Sequence, residues 1–222
     1  KYLEGNSLIK IVSLNGQEWM ASSLSCNDNI LLQDITKEFS SYRKIDRSVL
    51  MAIYASRMAF KMANWNDKNK IGISLGSSRG ATLSWEKNYL QLLNKHRVSP
   101  LASPSTTLGN LSSWVAQDLN LNGPEISHSM TCTTGLHAIA NGIAWLKSGL
   151  VEKFIAGGTE APISLFTMEQ FKSLKLLSND TKHPYPCRPI SNNSKNQNRL
   201  VIGEGSAVFA LEKLSKKNQN NR

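Results

Sequence analysis

Apolar and polar positions fall into blocks along the 222-residue chain. Short apolar runs enriched in β-branched residues occur at Leu8 to Leu14, Ile71 to Leu75, Ile126 to Met130, Lys153 to Ala156 and Leu200 to Leu211. Each is bounded by Gly, Asn, Pro or Ser, which predicts strands. Longer stretches, Asp46 to Trp65, Thr82 to Asn94, Ser105 to Asn120, Cys132 to Ser148 and Ser164 to Leu177, carry three- and four-residue apolar spacing and predict helices long enough to cross between strands. Strand and helix alternate almost throughout, so the expected class is a layered α/β domain with a largely parallel or mixed sheet. Two segments stand apart. Ser178 to Asn198 carries Pro184, Pro186 and Pro189 and the polar run Ser191 to Asn198, and predicts a long surface loop. Ser215 to Arg222 reads as a polar tail, leaving residues 1–214 as one domain and 215–222 outside it.

Composition narrows the class further. With 40% hydrophobic and 19% charged residues, the chain is not a charge-driven disordered segment, and no apolar run approaches the roughly 18 to 20 residues of a bilayer crossing. No basic, apolar and small-residue leader is visible, so the cytoplasm is the expected compartment. Lys and Arg outnumber Asp and Glu by 26 to 16, giving a net charge of +10. The excess is spread over Arg43, Lys44 and Arg47, then Lys61, Lys68 and Lys70, then Lys213, Lys216, Lys217 and Arg222, without interleaved aromatics. That pattern speaks against nucleic acid and leaves solvated faces or an acidic protein partner.

Three cysteines, Cys26, Cys132 and Cys187, form no paired motif for zinc or dithiol chemistry, and no cofactor or metal is expected. Cys132 differs from the other two in its setting. A predicted strand ends at Met130, and Gly135, Leu136, Ile139, Ile143 and Leu146 then mark a helix that closes near Gly149. Cys132 is expected to open that helix directly after the strand, where free backbone N–H groups and the helix dipole favour a thiolate and leave an N–H for an oxyanion. The small residues Gly135, Ala138, Ala140, Gly142 and Ala144 predict a central, buried helix. Local chemistry alone leaves a nucleophile and a buried core thiol both open.

The stretch Gly123 to Glu160 resembles the active-site region of the β-ketoacyl-acyl carrier protein synthases, condensing enzymes of the thiolase-like fold. The carriers of the resemblance are Gly123-Pro124, Met130-Thr131-Cys132-Thr133-Thr134-Gly135, His137-Ala138-Ile139 and Ala156-Gly157-Gly158-Thr159-Glu160. Upstream, Lys44-Ile45-Asp46-Arg47 and Gly76-Ser77-Ser78-Arg79-Gly80 are similar to family elements. Downstream, Phe171 to Asn179, Arg188-Pro189 and Gly203-Glu204-Gly205-Ser206-Ala207 are similar too. The resemblance runs from about residue 42 to Glu212, and the first 40 residues match poorly.

The resemblance implies the thiolase-like amino-terminal half: layers in the order α/β/α, with a mixed, mostly parallel sheet around a central buried helix. It implies that Cys132 accepts an acyl chain from a carrier-protein or coenzyme A thioester, with one oxyanion donor from its own N–H. Malonyl carrier protein then loses carbon dioxide, and its carbanion attacks the acyl-enzyme. Phe171 aligns with an aromatic near the acyl pocket. An acidic acyl carrier protein is the implied partner, with acyl and malonyl thioesters as substrates, no nucleic acid, no membrane, and a homodimer or a heterodimer with a ketosynthase. The family's second half supplies two histidines, a lysine and a Gly-Phe-Gly-Gly-like loop, and this chain ends at Arg222 after the equivalent of the first half. Met130, Thr131 and Thr133 depart from the family around the cysteine, as do Ser191 and the Arg199-Leu200 pair in the later loop. None of His96, His128, His137 and His183 matches the general base, so structural or surface roles are expected for all four. An incomplete acyltransferase is therefore the first reading. A non-catalytic interaction subunit or truncated fragment is the alternative, and a cysteine hydrolase lacks a base.

Overall fold

Ile71, Ile73 and Leu75 are fully buried on one side of a strand whose other side carries Gly72, Ser74 and Gly76, so this strand has protein on both faces. A computed structural model describes residues 7–65, 67–68, 70–106, 108, 110–181, 185–187 and 199–213. The strand is β3 (Ile71–Gly76), and it lies between β4 (Glu125–His128) and β5 (Lys153–Glu160), parallel to both. β7 (Gly205–Glu212) closes the other edge antiparallel to β5, giving the order β4-β3-β5-β7. Three parallel strands with one antiparallel edge make the mixed sheet expected from the pattern.

Helices cover both faces. On one side α2 (Arg47–Ala63) and α5 (Asn110–Leu119) bury Val49, Ile53, Leu111 and Val115 against Ile71, Ile73, Leu75 and Ile155. On the other, α6 (Thr134–Ser148) packs Ala138 and Leu146 onto Phe154 and Ala156. Alternation along β5 sorts Phe154 and Ala156 from Ile155, as a period of two requires. This is the α/β/α layering of the thiolase-like half.

One detail of that expectation changes. α6 is buried on its sheet side only: Leu136 is 70% and Ile143 46% exposed, and among the described residues no layer covers them. The small residues predict a fully buried helix, whereas Gly142 answers to the sheet side, since a Cβ there would stand 2.5 Å from Phe154 Cδ1.

The amino-terminal region holds the strand expected at Leu8 to Leu14 and two elements the apolar pattern did not predict, a second strand and a helix. β1 (Lys10–Leu14) turns at Asn15 and Gly16, with φ of 49° and 77°, into β2 (Gln17–Ser22), which pairs with β6 (Ile202–Gly203). An Asn-Gly pair with both φ positive is the favoured two-residue hairpin turn. α1 (Cys26–Glu38) starts at a capping box, in which Ser25 and Asp28 satisfy each other's backbone N–H groups. It buries only Leu32 and Ile35, too few to make a periodic signal. α3 (Thr82–Lys95) is as expected, while the helix expected from Ser105 is two pieces, α4 (Ala102–Thr106) and α5. α7 (Leu165–Ser173) stops before Leu177, which forms a bridge to Leu200. No helix among the described residues is long and apolar enough to cross a membrane. Pro184, His183, Arg188-Pro189, Ser191 to Asn198 and the tail 215–222 lie outside the described residues.

Candidate active site

β4 ends at His128, in register with Gly76 of β3, and the chain then turns through Ser129 to Thr133 before α6 begins. Thr131 has φ 52°, a left-handed conformation that β-branched residues rarely adopt and that costs about 1–3 kcal/mol. Thr134 holds the turn from inside. It is 4% exposed, and its hydroxyl donates to Thr131 O at 2.6 Å while accepting from Met130 N at 2.9 Å. Met130 O in turn accepts from Thr133 N at 3.3 Å and from the Thr133 hydroxyl at 2.8 Å. Gly76 makes room for this arrangement, because a Cβ there would lie 2.1 Å from Thr134 Cγ2 and 2.5 Å from His128 O. His128 belongs to the same scaffold. Its Nε2 lies 3.1 Å from Thr134 O, an acceptor, which assigns the proton to Nε2 and leaves Nδ1 to accept from the Ser74 hydroxyl at 3.4 Å. Both ring nitrogens are thus committed to structure, as expected. His96 and His137 are exposed.

Cys132 stands next to the strained Thr131, one residue before Thr133, the N-cap of α6. The strand, turn and helix follow in the expected order. The expected burial does not follow, for the Cys132 side chain is exposed and its helix has one open face. The N–H groups of Thr133 and Thr134 are spent on Met130 O and Thr131 O, while that of Cys132 has no acceptor among the described residues. It remains available to an oxyanion.

Cys132 opens onto a cleft of about 910 Å³, and Phe171 lines the same cleft. The structure therefore brings together the two residues singled out from the sequence, which lie far apart in the chain. Two further residues of the cleft had not been singled out. Glu160, at the end of β5, is buried enough to push its carboxyl above the usual range, against hydrogen bonds from Ser78 N, the Ser77 hydroxyl and Arg79 N and the charge of Arg79. Arg79 follows β3 in the loop Gly76 to Gly80, which the Ser77 hydroxyl fastens by accepting from Gly80 N at 2.7 Å. Its guanidinium donates from Nη2 to Gln170 Oε1 and lies 5.8 Å from the Phe171 ring centroid, while its Nε is buried without a partner. A charged residue inside an otherwise small-residue loop was the sequence signal for it.

The flanking motifs prove structural. Asp46 caps α2 through Ser48 N at 2.9 Å and also accepts from Ser84 N at 2.9 Å, tying α2 to α3. Arg47, grouped with the basic patch, turns inward: Nε and Nη2 meet the two oxygens of Glu204 at 2.7 and 2.8 Å. Burial alone would raise the Glu204 carboxyl, but Arg47 and the Leu24 N–H hold it below its ordinary range. Gly157 sits at a close backbone approach, since a Cβ there would lie 2.2 Å from Ala207 O, whereas Gly205 has open space around it.

The profile of the Beta-ketoacyl synthase N-terminal domain matches residues 31–217. The chain belongs to the β-ketoacyl synthase family. The match begins upstream of the motifs quoted above and takes in the later part of α1, within the first 40 residues expected to match poorly. The 3-oxoacyl-[acyl-carrier-protein] synthase 2 of Staphylococcus aureus is 32% identical over 178 residues, covering 78% of this chain and 43% of that protein. Its counterpart in Coxiella burnetii is 30% identical over 190 residues, 83% of this chain and 45% of that one. The chain thus spans less than half the length of these relatives. Among solved structures, the ishigamide ketosynthase/chain length factor superposes with a TM-score of 0.77 at 20% identity, over 95% of this chain and 52% of that one. A β-ketoacyl synthase from Burkholderia phymatum STM815 gives 0.75 at 21% identity, over 98% and 55%. A complex of a type II PKS acyl-carrier protein with its ketosynthase, AntDE:AntF, gives 0.69 at 20% identity, over 79% and 45%. These likenesses establish the fold.

Proposed function

We propose that this chain is the nucleophile-bearing half of a β-ketoacyl synthase of fatty acid or polyketide synthesis. The observation that carries the proposal is the turn at Thr131 to Thr134, which spends backbone strain to hold at the mouth of a cleft a cysteine whose N–H has no acceptor among the described residues. In the first step the Cys132 thiolate attacks the carbonyl carbon of an acyl thioester. The oxygen takes up negative charge and accepts from the Cys132 N–H. The intermediate collapses, the bond to the carrier sulfur breaks, and the carrier leaves as a thiol once protonated. In the second step malonyl carrier protein loses carbon dioxide, its carbanion adds to the acyl carbonyl, and Cys132 leaves as thiolate. That step takes no proton from the substrate but leaves negative charge on the malonyl thioester oxygen, and His128, with both ring nitrogens engaged, has no free donor to offer it. A second half supplies that donor.

The open face of α6, with Leu136 and Ile143 exposed, supports a surface built to be covered. The partner at the substrate stage is an acyl carrier protein, to whose acidic surface a net charge of +10 is complementary. The solved complex of an acyl-carrier protein with its ketosynthase supports that choice. The assembly is a homodimer or a heterodimer with a ketosynthase, in the cytoplasm. Residues 1–214 form the ketosynthase amino-terminal domain, with 215–222 as its tail. Phe171 serves the acyl group.

The test is to incubate the protein with acyl-carrier protein thioester, alone and with the carboxy-terminal half of a relative, and to weigh it. A gain of one acyl group that disappears in Cys132→Ala is expected. Absence of any gain under both conditions overturns the enzyme reading in favour of a non-catalytic ketosynthase-like subunit.

A further inference from the structure

Arg79 is the one cation among the described residues lining the cleft that holds Cys132. Among the described residues no carboxylate forms a contact ion pair with it: the ion pairs involve other cations, and Glu160, the acid in the same cleft, interacts with its charge at longer range while directing its oxygens to the backbone of Ser78 and Arg79 and the hydroxyl of Ser77. Among the described residues the guanidinium's single hydrogen bond is to a neutral amide, Gln170, and its Nε has no acceptor. A guanidinium has five N–H donors in a rigid fork, so most of its capacity is unspent. Nor is the side chain loose. Its backbone oxygen accepts from the Thr82 hydroxyl at 3.1 Å, its loop is fastened at Ser77 and Gly80, and its guanidinium rests against Phe171. A fixed cation with spare donors covers the very ring that would otherwise make the acyl wall apolar.

We propose that Arg79 is a specificity-determining residue that selects acyl chains ending in a carboxylate over plain hydrocarbon chains. The inference rests on Cys132 being the acyl acceptor. A carboxylate entering the cleft would meet an unpaired guanidinium at a site partly removed from water, where a charge-assisted hydrogen bond is strong. A hydrocarbon end would instead keep the guanidinium from its solvent and offer no acceptor in exchange.

The test uses two iodoacetamides of equal length, one with a branched alkyl tail and one whose tail ends in a carboxylate. Each alkylates a thiol by displacement of iodide, without any catalytic machinery. Modification at Cys132 is read by peptide mass spectrometry against Cys26, which is exposed and outside the cleft and reports the general field of the positive chain. The expected result is a preference for the carboxylated probe at Cys132, about tenfold above that at Cys26. The preference should fall to about one in Arg79→Leu and be partly kept in Arg79→Lys. Equal preferences at the two cysteines of the unaltered protein would overturn the proposal, as would a preference that survives Arg79→Leu. Should that variant not fold, Arg79→Gln serves the same purpose. If the probe preference is present but acyl thioesters never label Cys132, the functional reading fails and the cation site stands. If thioesters label Cys132 with no regard for a terminal carboxylate, this inference alone fails.

Discussion

The two faces of α6 are written in similar residues and meet different fates. Toward the sheet, Ala138, Gly142 and Leu146 are buried against Phe154. Away from it, Leu136, Ala140, Ile143 and Ala144 are exposed. Helices at a protein surface ordinarily carry one apolar stripe with polar residues opposite. α6 carries apolar residues on both faces, with His137 and Lys147 also exposed, and the described residues cover only the sheet side. The same asymmetry explains Cys132, whose turn is rigid beneath and open above. The nucleophile's support is local, while the described residues leave its other side open.

That comparison can be broken by substitution on either face. The largest effect is expected for Phe154→Ala, which removes the side chain against which α6 packs and should cost about 3–5 kcal/mol in urea unfolding. Gly142→Val places a branched side chain where even a Cβ would press on Phe154, and should cost about 1–3 kcal/mol. Thr134→Val keeps the shape but removes the hydroxyl that serves Thr131 O and Met130 N. About 1–3 kcal/mol of stability should be lost, together with most acylation of Cys132. On the outer face, Leu136→Ser with Ile143→Ser should change the stability of the chain by no more than about 0.5 kcal/mol. An outer-face loss as large as the inner one would mean that the two faces do not differ as described.

A pH prediction sharpens the contrast between locally anchored and open regions. Glu204 is held below its ordinary 4.5 chiefly because Arg47 and Leu24 outweigh burial. A depressed carboxyl contributes stability that is fully present above the unfolded value and is lost as pH falls through the folded one. Unfolding free energy should therefore decline below about pH 4.5, and the decline should be shallower in Arg47→Met, which has already lost the pair.

Much of the fold was legible because the central elements are strongly periodic. β3, β5, α2 and α6 bury continuous apolar runs, and their types follow from period and length. The strand β2 and the helix α1 were missed for a different reason. Gln17–Ser22 has one deeply apolar side, and α1 has two buried residues, so their signals sit in the Asn15-Gly16 turn and in the Ser25 and Asp28 capping box. At the site, Cys132 and Phe171 were legible through motif resemblance. Arg79 shows in the sequence only as a charge within a small-residue loop, and the unpartnered Nε of Arg79 and the burial of Glu160 are set by tertiary packing. The exposure of α6 was not legible at all, since apolar spacing says which residues seek cover and not whether the chain in hand provides it.

The central claim is that the turn at Thr131 presents Cys132 as an acyl acceptor. Its most direct test is peptide mapping after reaction with acyl-carrier protein thioester in the presence of a complementary carboxy-terminal half. The acyl mass should reside on the Cys132 peptide, with Cys26 and Cys187 unmodified and no label in Cys132→Ala. Acyl groups shared among the three cysteines, or none on Cys132, would contradict the claim.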